Sequence, residues 1–129
     1  VWFINKHLIY TLGQCSPGPL TWTPSAGFTI PTQTYYFNLG NILMITTSAA
    51  IRTLPCTTCT PTYTYAVLKA GTFAAVSSSV FTSVTSTSIT IQTSTSQTVT
   101  SYVFRATDTS VSPPLVLDAP FTVAWKDIC

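Results

Sequence analysis

The chain has 129 residues, enough for one domain with a core of its own. Only 6% of them are charged (five Lys or Arg, three Asp, no Glu), against about 25% in an ordinary soluble domain. This excludes disorder, which needs high charge and low hydrophobicity, and it excludes a helical bundle, which needs Ala, Glu, Lys and Leu. A net charge of +2 from scattered cations builds no basic face, so no nucleic-acid partner is expected.

What remains is strand vocabulary: Thr, Val, Ile, Tyr and Phe, with 26 Thr and 14 Ser in the chain. Residues 1–12 alternate, and both faces are largely apolar. One face carries Trp2, Ile4, Leu8 and Tyr10 around Lys6; the other carries Val1, Phe3, Asn5, His7 and Ile9. Residues 13–27 hold Pro17, Pro19 and Pro24 and read as a loop, with a short strand at Leu20–Thr23. A strand is predicted at 33–38, then a tight turn at Leu39-Gly40-Asn41, then strands at 42–47 and 49–54. Residues 55–61 form a proline-bounded loop. Residues 62–69 are a strong strand with Tyr63, Tyr65 and Val67 on one face, ending at an Ala70-Gly71 turn. Residues 73–84 suit either a helical turn or a strand, since Ser77-Ser78-Ser79 disfavours a long helix. Further strands are predicted at 88–93 with Ile89 and Ile91 inward, and at 98–105. After Pro113-Pro114 come 115–117 and then 121–126, with Phe121, Val123 and Trp125 inward.

Eight to ten short strands spaced by Pro and Gly predict an all-β chain. The expected architecture is a single β-sandwich, immunoglobulin-like or jelly-roll, at 13–129, preceded by an N-terminal strand at 1–12. No stretch is long and apolar enough to span a membrane as a helix. The opening Val1-Trp2-Phe3-Ile4 reads as a mature, secreted chain whose signal has been removed.

The four cysteines, Cys15, Cys56, Cys59 and Cys129, read as disulfides of an oxidising compartment. Three pairings are open; Cys56–Cys59 with Cys15–Cys129 is favoured. A zinc site would ask for two C-x-x-C pairs, and only Cys56-Thr-Thr-Cys59 is present.

No catalytic constellation is expected, and no metal or other cofactor. His7 is the only imidazole, and no nucleophile elbow accompanies it. Glycoside hydrolysis normally wants two carboxylates flanking a bond, which the three Asp allow only formally. The aromatic residues, Trp2, Trp22 and Trp125 among them, suit core packing or a sugar platform.

The informative segment is therefore the N-terminal strand. A strand apolar on both faces is awkward at the end of an isolated subunit. It fits either a central strand of its own sandwich or a donor strand that completes the sheet of a neighbour by edge addition. Val1, Trp2, Phe3, Ile4, Leu8, Ile9 and Tyr10 are the expected subunit interface, with Trp2, Ile4, Leu8 and Tyr10 filling an acceptor groove. Few carboxylates also predict tolerance of low pH.

The apolar strand 1–10, the Thr/Ser-rich strands in 86–101, the scarce charge and the cysteines resemble the extracellular thread and bundling-pilus subunits of archaea. The resemblance is one of style over the whole chain. It implies a secreted all-β subunit that polymerises head to tail by donor-strand complementation, for adhesion or biofilm cohesion. The partners it implies are further copies of the chain and surface glycans. A viral capsid or appendage jelly-roll and a secreted carbohydrate-binding module are the alternatives.

Overall fold

The computed structural model describes residues 19–23, 27–52, 60–111 and 113–127. Among them the chain is nearly all strand: β1 (Leu20–Thr23), β2 (Gln33–Tyr36), β3 (Leu43–Thr46), β4 (Ala49–Arg52), β5 (Tyr63–Lys69), β6 (Phe81–Val84), β7 (Ser88–Ile91), β8 (Ser101–Asp108) and β9 (Leu115–Lys126). A single 3₁₀ turn, Phe37–Leu39, joins β2 to β3, and Gly40 takes the left-handed conformation (φ 66°) that ends it. Among the described residues no helix is long and apolar enough to cross a membrane.

The strands form three hydrogen-bonded groups. β1 pairs antiparallel with β4. β3, β7 and β6 form an antiparallel sheet in that order. The largest sheet runs β2–β9–β8–β5, with β2 parallel to β9 and the other pairs antiparallel. β3 and β4 are nearly one strand, interrupted at Thr47-Ser48. Thr47 still bonds across to β7's side, N–H to the Thr87 carbonyl at 2.9 Å and hydroxyl to the Ser86 carbonyl at 3.1 Å. Beyond it the track leaves β7 and takes β1 as its neighbour.

The core follows from alternation. Period-2 side chains from all nine strands meet in one cluster that includes Trp22, Tyr35, Ile45, Val67, Ile89, Ile91, Phe104 and Phe121. Trp22 and Tyr65 both stack on Phe104, with ring centroids at 5.5 and 5.8 Å. Buried hydroxyls bond to backbone groups that lack a ladder partner. The Tyr35 hydroxyl accepts the Thr93 N–H at 2.9 Å and donates to the Asn41 carbonyl at 2.7 Å.

Three predicted elements differ in the structure. The strand expected at 98–105 is β8, displaced toward the C-terminus. The Val99 carbonyl is already occupied, by the Tyr102 hydroxyl at 2.6 Å and the Trp125 indole N–H at 2.9 Å, so it serves as a corner rather than a ladder rung. Within 73–84 there is no helix; the chain makes an isolated bridge, Leu68 to Ala75, and then β6. The strands expected at 115–117 and 121–126 are one strand, β9, which runs through Pro120.

Candidate functional site

Pro120 is the first clue to the site. Proline cannot donate to a ladder, so inside a sheet it belongs where its nitrogen faces no partner. The Val123 N–H donates to the Thr100 carbonyl at 2.9 Å. In an antiparallel pair this sets the parity of the strand. The backbone groups of Leu115, Leu117, Ala119, Phe121 and Val123 point toward β8, and those of Val116, Asp118, Pro120 and Thr122 point away from it. The missing N–H therefore costs β8 nothing.

On that far side β9 is only half covered. β2 pairs with 123–126 and stops there. Among the described residues, nothing pairs with the outer edge of 115–122. Among the described residues, three N–H groups (Val116, Asp118 and Thr122) and three carbonyls (Val116, Asp118 and Pro120) line that open half-edge. β1 also comes close to β9 but hydrogen-bonds to β4.

Burial along β9 falls off in the same direction. Its core-facing residues Val123, Phe121 and Ala119 are buried, whereas Leu117 and Leu115 are half-exposed. Leu20 of β1 is also half-buried and packs on the same core. On the outer face Val116 is 51% exposed. Among the described residues the open half-edge thus has unmet backbone groups and under-covered apolar side chains on both faces, the features that favour addition of another strand.

Polar cross-links hold β1 and β4 opposite this edge. Arg52 of β4 and Asp108 of β8 form an ion pair, Nε to Oδ2 at 2.6 Å, with both side chains 0% exposed. Their register partners are Leu20 and Leu115, so the pair sits at the open end of β9. Asp108 Oδ1 accepts the Ser110 hydroxyl at 2.6 Å, the Ser110 N–H at 2.9 Å and the Thr62 N–H at 3.3 Å. Arg52 also donates to the Ser110 hydroxyl at 3.2 Å. Burial by itself pushes the Asp108 carboxyl up. The Ser110 and Thr62 donors and the Arg52 charge outweigh it and hold the carboxyl below the usual carboxylate range. A folded pKa below the unfolded value of about 3.9 adds stability above that value, and the gain is lost as pH falls through the folded pKa. Urea midpoints are therefore expected to stay flat from neutral pH to about 5 and to fall only below about 4. A midpoint that declines steadily from pH 7 would contradict this.

Two tyrosines complete the link. The Tyr65 hydroxyl accepts the Ala50 N–H at 3.0 Å, and the Tyr63 hydroxyl accepts the Arg52 N–H at 2.8 Å. These are the donors of β4 that a neighbouring strand would otherwise take. Tyr63→Phe and Tyr65→Phe each strand a buried N–H, so each is expected to cost about 1–3 kcal/mol in a denaturation series.

The other sequence candidates fall elsewhere. Val1, Trp2, Phe3, Ile4, Leu8, Ile9, Tyr10 and all four cysteines (Cys15, Cys56, Cys59, Cys129) lie outside the described residues. Trp22 is buried, and the half-buried Trp125 packs its edge on Tyr35, Phe81 and Tyr102, so neither forms a sugar platform. A recess of about 100 Å³ between Lys69, Phe81, Gln97 and Tyr102 is well below the roughly 300–1,000 Å³ of a small-molecule pocket. Sequence reading missed the Arg52–Asp108 pair and the β9 half-edge. Pro120, between the strands expected at 115–117 and 121–126, is the residue whose chemistry points to the edge. Comparison with protein-family models, with curated proteins and with solved structures finds no match.

Proposed function

We propose that the chain is the structural subunit of a secreted extracellular filament, a single immunoglobulin-like β-sandwich that polymerises by donor-strand complementation. Residues 1–10 of one subunit add along the β9 half-edge of the next. The observation that carries this reading is the half-paired β9, open over 115–122 among the described residues.

The strand orders support the sandwich. In this reading β1–β4 and β3–β7–β6 belong to one layer and β2–β9–β8–β5 to the other, with β1 and β2 as the two halves of a split first strand. Tyr102, the second residue of β8, donates to the Val99 carbonyl three residues upstream. Immunoglobulin-like sandwiches carry a tyrosine in that role at the same corner. Phe104 stands two residues further on, clamped between Trp22 and Tyr65.

The donor segment suits the edge. It has ten residues for a half-edge of eight, and it is apolar on both faces. Trp2, Ile4, Leu8 and Tyr10 cover the under-buried Leu115 and Leu117, while the backbone supplies the rungs that β9 lacks. One subunit giving a strand and receiving another makes a heterologous contact, which propagates as an open filament. A hydroxyl-rich, charge-poor coat fits adhesion or biofilm cohesion, because copies repel one another little.

The test is negative-stain electron microscopy of native material before and after boiling in detergent. Thin uniform fibres that survive boiling are the expected result. Discrete shells would favour the viral reading, and a uniform 14 kDa monomer would remove the filament reading altogether.

A further inference from the structure

Lys69 stands on the inner side of its sheet. Along β5 the core-side residues are Tyr65 and Val67, and Lys69 follows them at the same parity. Its register partner on β8 is Tyr102, whose buried ring packs on Phe81 and Phe121. The described carboxylates are all engaged elsewhere: Asp108 with Arg52, Asp118 with Arg105, and Asp127 with the Asn38 amide at 2.6 Å. Lys69 thus brings a charge to the core side of β5 with no counter-ion among the described residues. A cation so placed either keeps water around it or takes an anion.

Lys69 lines the recess of about 100 Å³. The buried Val80, Phe81 and Tyr102 give it an apolar floor, and the more exposed Gln97 and Thr98 give it a polar rim. It is too small for a drug-sized molecule, but not for a very small one. A closed cavity of about 150 Å³ takes one benzene, so this recess, which opens to water at its rim, takes about four or five heavy atoms.

We propose that the recess binds a short-chain monocarboxylate of the acetate-to-propionate class, with the carboxylate on the Lys69 ammonium and the alkyl stem on Val80 and Phe81. The rest of the lining selects this chemistry, because its donors are already committed. The Val80 and Phe81 N–H groups both donate to the Ser77 carbonyl, at 3.2 and 3.0 Å. The Gln97 amide nitrogen donates to the Thr95 carbonyl at 3.2 Å, and the Tyr102 hydroxyl donates to the Val99 carbonyl at 2.6 Å. A sulfate or phosphate, with oxygens on every side, would leave most of them unmet. A carboxylate has its oxygens at one end, where Lys69 and the Thr98 hydroxyl can donate, and its stem asks only for the apolar floor. So few atoms bind weakly, at about millimolar concentration. The site uses no backbone group of the β9 half-edge, so the inference does not require the donor-strand reading.

Saturation-transfer difference NMR tests it in the full chain, since it observes the small molecule and serves subunit and fibre alike. Propionate is expected to give a signal that saturates at about millimolar concentration. Its neutral isostere propionamide should bind about tenfold more weakly or worse, and Lys69→Met, which keeps the stem and removes the charge, should weaken propionate to the same degree. Lys126→Met, a cation outside the recess, should leave binding unchanged. Benzoate, too large for the recess, should not compete. If Lys69→Met fails to fold, Thr98→Glu on the exposed rim sets a competing carboxylate beside Lys69 and should also weaken propionate. A signal that grows without saturating, equal binding of propionamide, competition by benzoate, or undiminished binding in the Lys69 or Thr98 variant would overturn the inference.

Discussion

Deleting residues 1–10 is expected to abolish fibres and leave soluble, less stable subunits of the remaining 119 residues. In the proposed filament residues 1–10 cover the β9 half-edge, so without them Leu115, Leu117 and the outward N–H groups of Val116, Asp118 and Thr122 should stay wet. A sharper version keeps the donor and blocks the acceptor. Val116→Pro removes one outward N–H, while the β8 rungs use the backbone of Leu115 and Leu117 and stay intact. The subunit should fold, with a thermal midpoint within a few degrees of the parent, and fibre yield should fall steeply. Adding a synthetic peptide of residues 1–10 to the truncated subunit should raise its midpoint in proportion to occupancy. Normal fibres from either variant would sink the donor-strand reading.

The second large effect concerns the buried ion pair. Asp108→Ala leaves the Arg52 guanidinium without its counter-ion in a site that is 0% exposed. Removing one partner of such a pair costs about 3–5 kcal/mol. For a chain of this size that is a fall of about 10–20 °C in melting temperature. Arg52→Met should cost a comparable amount, because Asp108 keeps its three hydrogen bonds but loses the facing charge. The double variant Arg52→Met with Asp108→Leu is expected to recover much of the loss, since desolvation of the pair offsets its attraction. Additive losses in the double variant would mean that the two side chains act independently. The pair also orients β4 against β8, so the Asp108→Ala subunit should accept the 1–10 peptide less well even at temperatures where it stays folded. A binding isotherm of that peptide to the edge separates the stability effect from the positioning effect.

Strand identity was legible because alternation is local. Tyr63, Tyr65 and Val67 share a face, as do Ile89 and Ile91, and as do Phe121, Val123 and Trp125; the structure turns each of these sets inward. Leu39-Gly40-Asn41 and Ala70-Gly71 were legible as turns, since Gly40 and Gly71 adopt the positive φ that side chains resist. The boundaries of β8 were not, because the Val99 carbonyl is claimed by Trp125, 26 residues away in the chain.

The all-β class, the poverty of charge and the inward faces of the strands were thus determined by the sequence itself, since composition and period-2 alternation act over a few neighbouring residues. Only the tertiary structure decided which strand lies beside which: that β2 runs parallel to β9, that Arg52 meets Asp108, and that Pro120 sits mid-strand on an edge left unpaired among the described residues. Each of these depends on contacts between segments dozens of residues apart. Their pairing is settled by which arrangement buries the apolar faces and satisfies the backbone together, and no local pattern carries that information.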